Sequence, residues 1–135
     1  MPFEYLRTIR LADTDAAGVV FFARTLILCH EAYEESLARA GLDLKGFFGG
    51  ADLIVPIAKS EAEYLRPLSV GDRVRVSVRP SALTTASFAI DFEITKVGPP
   101  DKPAARVRTE HVATSLAKRT RQPLPAGLAA WVNAG

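Results

Sequence analysis

The feature that most constrains this chain is a change of hydrophobic period. From residue 22 the apolar side chains Phe22, Leu26, Cys29, Tyr33, Leu37 and Ala40 are spaced 4, 3, 4, 4 and 3. That spacing places them on one stripe of an α-helix. Gly41 follows, where a left-handed residue closes a helix without a Cβ penalty. The pattern predicts a helix of about five turns over residues 22 to 40. Every other patterned segment has period 2, the signature of strands.

The strands read as follows. "FEYLRTIRL", residues 3 to 11, puts Phe3, Tyr5, Ile9 and Leu11 on one side, with Arg7 the exception. "DLKGFFGGAD", 43 to 52, is glycine-rich and reads as a loop with a short turn of helix. "LIVPIAKSEAEYLRP" reads as one long strand, with Pro56 implying an edge or bulge and Pro67 ending it. After the turn signal "VGD", Val74, Val76 and Val78 face one way and Arg73, Arg75, Ser77 and Arg79 the other. Phe88, Ile90, Phe92 and Ile94 give the inward side of "SFAIDFEITK". "GPPDKP" is a loop, "AARVRTEHVATSLAK" a last long strand, and "QPLPAGLAAWV" a short closing piece. Short turns make the four later strands antiparallel neighbours. One helix cannot cover such a sheet fully, so oligomerisation is expected.

Composition sets the class. At 135 residues, 48% hydrophobic and 24% charged, the chain is a single globular domain, residues 1 to 135, with enough length for a real core. Seventeen basic against fifteen acidic residues leave a net charge of +2. That is too little for a nucleic-acid partner and suits a small anionic ligand. The single cysteine, Cys29, excludes an intramolecular disulfide and a cysteine-rich zinc site. No signal-like segment begins the chain, and the apolar run "AAGVVFFA" ends at Arg24, well short of the ~20 residues of a bilayer span. The expectation is a cytoplasmic protein without a membrane partner.

Between the first strand and the helix lies "LADTDAAGVVFF", with Asp13 and Asp15 ahead of the apolar run. Carboxylates there can cap a helix, shape an Asx turn, bind a metal or act on a substrate. Two acids without a convergent histidine or third acid are too few for a metal, and Glu31, Glu34 and Glu35 read as a solvated helix face. No metal site is expected. Cys29 falls in the apolar stripe and reads as a core thiol. His30 reads as a partly buried polar residue or a pocket or subunit contact. His111 has no visible partner, which leaves a serine–histidine–acid arrangement unsupported.

The run Asp13-Thr14-Asp15-Ala16-Ala17-Gly18-Val19-Val20-Phe21-Phe22, placed between a strand and a long helix with strands and a "RPLSVGD" turn downstream, resembles the motif of the hotdog-fold acyl-CoA thioesterases of the 4-hydroxybenzoyl-CoA thioesterase family. The helix segment "CHEAYEESL" is most similar to the subgroup of 1,4-dihydroxy-2-naphthoyl-CoA hydrolases of quinone biosynthesis. The resemblance implies an α+β hotdog fold: an antiparallel five-stranded sheet wrapped around one long helix. It implies hydrolysis of an acyl-CoA thioester, with Asp15 as nucleophile or general base. The oxyanion donor would be the backbone N–H of Phe22, beside Gly18 and Val19, at a helix end whose free N–H groups favour negative charge. Gly18 is read as letting the backbone approach closely, and Asp13 as shaping the turn. The family often has Tyr or His in the aromatic pair, where this chain has Phe21 and Phe22. A backbone donor survives that change and a side-chain hydroxyl does not.

The resemblance further implies an aromatic acyl group, no cofactor beyond the coenzyme A carried by the substrate, and a homodimer or homotetramer. Lys118, Arg119 and Arg121 are the candidates for the coenzyme A phosphates. Two alternatives stand beside it: a short- or medium-chain aliphatic acyl-CoA thioesterase, and a non-catalytic module that binds acyl-CoA or acyl carrier protein. The carboxylate of Asp15 argues against the second, because a pure binder has no use for it against an electron-rich carbonyl.

Overall fold

Alternating valines and aromatics build one sheet, and the helical stripe packs on it. The computed structural model describes residues 2 to 49 and 52 to 135. In chain order the elements are β1 (Phe3–Thr8), a 3-10 turn (Leu11–Asp13), α1 (Phe22–Arg39), α2 (Leu44–Phe48), β2 (Leu53–Ile54), β3 (Ile57–Tyr64), β4 (Arg73–Thr84), β5 (Ser87–Lys96), β6 (Lys102–Val112), β7 (Thr114–Ser115) and α3 (Ala126–Ala134). The strands form an antiparallel five-stranded sheet of order β1-β4-β5-β6-β3 and a two-stranded β2-β7 ribbon.

The inward faces are the expected ones. Val74, Val76 and Val78 of β4 and Phe88, Ile90, Phe92 and Ile94 of β5 are buried against Leu28, Cys29, Ala32, Tyr33 and Leu37 of α1 in one core. The stripe is displaced at its ends: Phe22 is 64% exposed, and Thr25, Leu28 and Ser36 are buried instead. Gly41 closes α1 at φ +89°, with Leu42 N donating to Leu37 O at 3.2 Å. Arg75, on the outer face of β4, meets Glu4 at 3.0 Å and Asp101 at 3.1 Å.

Four expectations need correction. First, among the described residues the long helix and the expected short turn of helix are joined by a third helix. The closing "QPLPAGLAAWV" leads into α3, which runs on to Ala134, packs on β4 and is tied to α1 by Trp131 Nε1 donating to Ser36 Oγ at 2.9 Å. Second, Pro56 splits the long strand, because proline donates nothing to a ladder. β2 before it pairs with β7, and β3 after it pairs with β6. Third, β6 ends at Val112, and the continuation of that segment joins the ribbon as β7. Fourth, β3 and β4 are successive but not neighbours: β3 crosses to the far edge beside β6, and β1 takes the place next to β4. Leu11 leaves the β1 pattern and is 75% exposed, because the chain turns into the 3-10 turn there. In the loop of residues 43 to 52, α2 supplies the expected turn of helix, and Gly50 and Ala51 lie outside the described residues. Among the described residues no helix is long and apolar enough to cross a membrane.

Candidate active site

The loop carrying both aspartates is a tight turn pinned at its base. Gly18 N donates to Asp15 O and Asp15 N donates to Val19 O, each at 3.0 Å. Asp15 Oδ1 accepts the N–H of Ala17 at 2.8 Å, an Asx turn that fixes the side chain's first torsion. Gly18 sits at φ +82°. A Cβ there would meet no protein atom within 4 Å, so the backbone angle and not crowding by the protein asks for glycine. Val20 N then donates to Leu68 O at 2.8 Å, which fastens the loop to the β3–β4 connection.

The two aspartates have opposite surroundings. Asp13 is 1% exposed. Its carboxylate accepts Arg10 N at 2.8 Å, Arg24 Nε at 2.8 Å and both terminal nitrogens of Arg7. Burial alone would raise this carboxyl, but the Arg7 guanidinium, the Arg10 N–H and Arg24 hold it at about 2. The Asp13 carbonyl accepts Phe21 N at 3.0 Å, drawing the start of α1 back onto the turn. Arg7, the residue that broke the alternation of β1, also donates from Nε to Glu31 Oε1 at 2.7 Å, and Tyr5 Oη reaches the same oxygen at 3.1 Å. Glu31 is therefore part of a half-buried ion-pair network, not a purely solvated face. The broken alternation at Arg7 was the one signal in the sequence that could have located this network.

Asp15 is exposed, and among the described residues no hydrogen bond engages its Oδ2. It lines a cleft of about 460 Å³ with Val19, Phe22, Thr25, Tyr64 and Leu68. Phe22 is the first residue of α1, and no side chain caps that helix end. The N-terminal end of α1, where first-turn N–H groups lack intrahelical partners, therefore borders the same cleft as the carboxylate. Tyr64, which the sequence reading did not single out, donates its hydroxyl to Phe22 O at 3.0 Å and holds β3 against the helix start. The structure thus brings Asp15, Val19 and Phe22 into one cleft. Gly18 shapes the loop beside it, and Lys118, Arg119 and Arg121 lie exposed after β7, outside the cleft lining.

The remaining candidates resolve by burial. Cys29 is buried, and burial pushes its thiol up to about 12, far from a nucleophile's range. His30 is exposed, with its ring 5.8 Å from that of Tyr33. His111 does have a partner, contrary to expectation: its Nε2 lies 2.8 Å from Thr109 Oγ1 and its ring stacks on Phe88. Among the described residues no group of three or more histidine, cysteine or acidic side chains could hold a metal ion.

The model of the thioesterase-like superfamily matches residues 9 to 132. The chain belongs to that superfamily. It is 43% identical over 129 residues to a 1,4-dihydroxy-2-naphthoyl-CoA hydrolase of Rippkaea orientalis, covering 96% of this chain and 94% of that one. Against the enzyme of the same name from Thermosynechococcus vestitus the identity is 44%, with coverage of 96% and 87%. The fold matches the crystal structure of a 1,4-dihydroxy-2-naphthoyl-CoA thioesterase from Synechocystis with a TM-score of 0.93 and 33% identity, covering 98% and 96% of the two chains. As a member of this hotdog superfamily the protein is a thioester hydrolase, and the cleft at the start of α1 is its candidate active site.

Proposed function

We propose that the protein hydrolyses an aromatic acyl-CoA, with 1,4-dihydroxy-2-naphthoyl-CoA the favoured substrate, to the free acid and coenzyme A in quinone biosynthesis. The observation that carries this reading is the shared cleft: an exposed, half-engaged carboxylate and an uncapped helix N-terminus open onto the same space. The relatives named above support the acyl group.

The thioester carbonyl lies with its oxygen toward the N–H of Phe22 and its carbon toward Asp15. Asp15 either takes a proton from a water that attacks the carbon, or attacks it directly to give a mixed anhydride that water then cleaves. In both routes a C–O bond forms, the C–S bond breaks, and the leaving thiolate carries the electron pair and is protonated. The oxygen that becomes anionic gains most from the helix end, since those donors are already oriented when charge develops. The side chains of Phe21 and Phe22 supply no hydroxyl, so at these two positions the donors are backbone groups. A homodimer or homotetramer is part of this reading.

The test is thiol release from a panel of aromatic and aliphatic acyl-CoAs, for the wild type and Asp15→Asn. Preference for the dihydroxynaphthoyl ester, lost with Asp15→Asn, is the expected result. Equal cleavage of every ester by both proteins overturns the mechanism, and binding without cleavage by the wild type favours a non-catalytic module. Preference for short or medium aliphatic chains transfers the activity to that substrate class.

A further inference from the structure

Beyond the cleft, the slot between α1 and β3 holds a second space. The cleft takes Phe22 and Thr25 from the helix and Tyr64 from the strand. A cavity of about 100 Å³ takes Leu26, Cys29, His30 and Tyr33 from the following turns, with Ser60 and Ile57 from further back along β3. Its remaining wall is Phe92 of β5 with Thr109 and His111 of β6.

This cavity is lined mainly by apolar side chains, but buried polar groups stand in its wall. Tyr33 is 5% exposed and His111 1%. Tyr33 Oη and His111 Nδ1 are, among the described residues, the two buried side-chain polar atoms without a hydrogen-bond partner. Buried polar atoms without partners are rare in folded proteins, and each one asks for a water, an ion or a ligand. That both border one cavity points to a common occupant. The two rings cannot swing away to find other partners. His111 is stacked 4.6 Å from Phe88 and bonded through Nε2 to Thr109, and Tyr33 is wedged among His111, Phe88 and Trp131. Burial, with a smaller push from His30, lowers the imidazole to about 4, so it is neutral at neutral pH. A neutral imidazole nitrogen and a phenol hydroxyl, on rings whose centroids are 5.0 Å apart, can between them donate one hydrogen bond and accept another. A hydroxyl group is the chemistry that satisfies both.

We propose that this cavity is the distal end of the acyl pocket, and that Tyr33 and His111 hydrogen-bond a ring hydroxyl of the acyl group. The inference rests on the aromatic acyl-CoA reading above. A cavity that holds a whole benzene ring is about 150 Å³. This one admits the hydroxyl-bearing edge of a ring whose remainder lies toward the cleft. Tyr33, as a helical residue, leans its side chain back toward the N-terminus of α1, which is the direction of the cleft.

The test compares 1,4-dihydroxy-2-naphthoyl-CoA with 2-naphthoyl-CoA, for the wild type, Tyr33→Phe and His111→Phe, together with the thermal midpoint of each. Tyr33→Phe deletes one oxygen that has no partner in the protein, so its midpoint is expected to stay at or above that of the wild type. Its kcat/KM for the hydroxylated ester is expected to fall about tenfold, mostly through KM, the size of one neutral hydrogen bond. Its kcat/KM for 2-naphthoyl-CoA stays unchanged. His111→Phe keeps a ring against Phe88 and carries the same comparison if Tyr33→Phe does not fold. A wild type that prefers aromatic esters, with variants that lower both esters equally or neither, overturns this inference alone. A wild type that cleaves no aromatic ester overturns the proposed function, and the inference with it.

Discussion

At the scale of single residues, Asp13 and Asp15 show how environment separates two identical groups. Asp13 has four donors on a buried carboxylate, and Asp15 keeps an oxygen free in the cleft. Asp15→Asn removes the basic oxygen but keeps the acceptor for Ala17, so the expected result is an intact fold with kcat down by about 10²–10⁴. Asp13→Ala leaves Arg7 and Arg24 facing each other without their anion, and a loss on the order of 3 kcal/mol is expected in urea unfolding. The pH dependence follows from two depressed values. His111, at about 4 when folded against an ordinary 6.5, contributes stability that is complete above about 6.5 and is lost as pH falls toward 4. Asp13, at about 2 against 3.8, contributes stability present above about 3.8 and lost as pH falls through 2. Stability should therefore fall in two stages as the pH is lowered, and His111→Phe should abolish only the upper one. The role of Asp13 as a turn-shaping residue could be suspected from its place in the chain, but its partners could not. Arg7 was visible only as an apolar pattern broken once, and Glu31 looked like any other acid on a helix face.

At the scale of elements, what was legible is what repeats locally. The α1 stripe and the alternation of β4 and β5 are written in spacing: α1 and β5 formed within a residue of the expected bounds, and β4 began where expected but ran on to Thr84, five residues past the alternating stretch. α3 was not legible as a helix because "AGLAAWVNA" is apolar on nearly every side, which leaves periodicity nothing to contrast. Sheet order was not legible either, since pairing β3 with β6 depends on contacts between strands about 45 residues apart in sequence. Two glycines separate conformational need from convenience. Gly41→Ala meets no atom but must hold φ +89°, so a cost of about 1–2 kcal/mol is expected. Gly127, in the first turn of α3, has no such angle and equal space, so Gly127→Ala should raise stability by about 0.5 kcal/mol. Paired thermal unfolding of the two variants reads both signs.

At the scale of the whole molecule, β3 is an edge strand, with β6 on one side and, among the described residues, no strand on the other. Ile57 and Tyr64 on β3, and Leu65 just after it, are large, apolar and exposed. An eight-residue edge with such side chains is the kind natural proteins cover. Since the cleft takes Tyr64 from this strand, assembly and activity should be linked: sedimentation is expected to give a multiple of 14.6 kDa, and specific activity to fall on dilution. The network around Arg7 has a consequence for the order in which the chain acquires its function. Arg7 lies on β1, which pairs only with β4, seventy residues further along, at Phe3 with Val78 and Thr8 with Arg73. A nascent chain released only as far as residue 72 has the aspartates and the long helix but no strand to hold Arg7 in place. The aspartate loop and the start of α1 are thus among the earliest translated parts of the cleft, and their arrangement is among the last things folding completes.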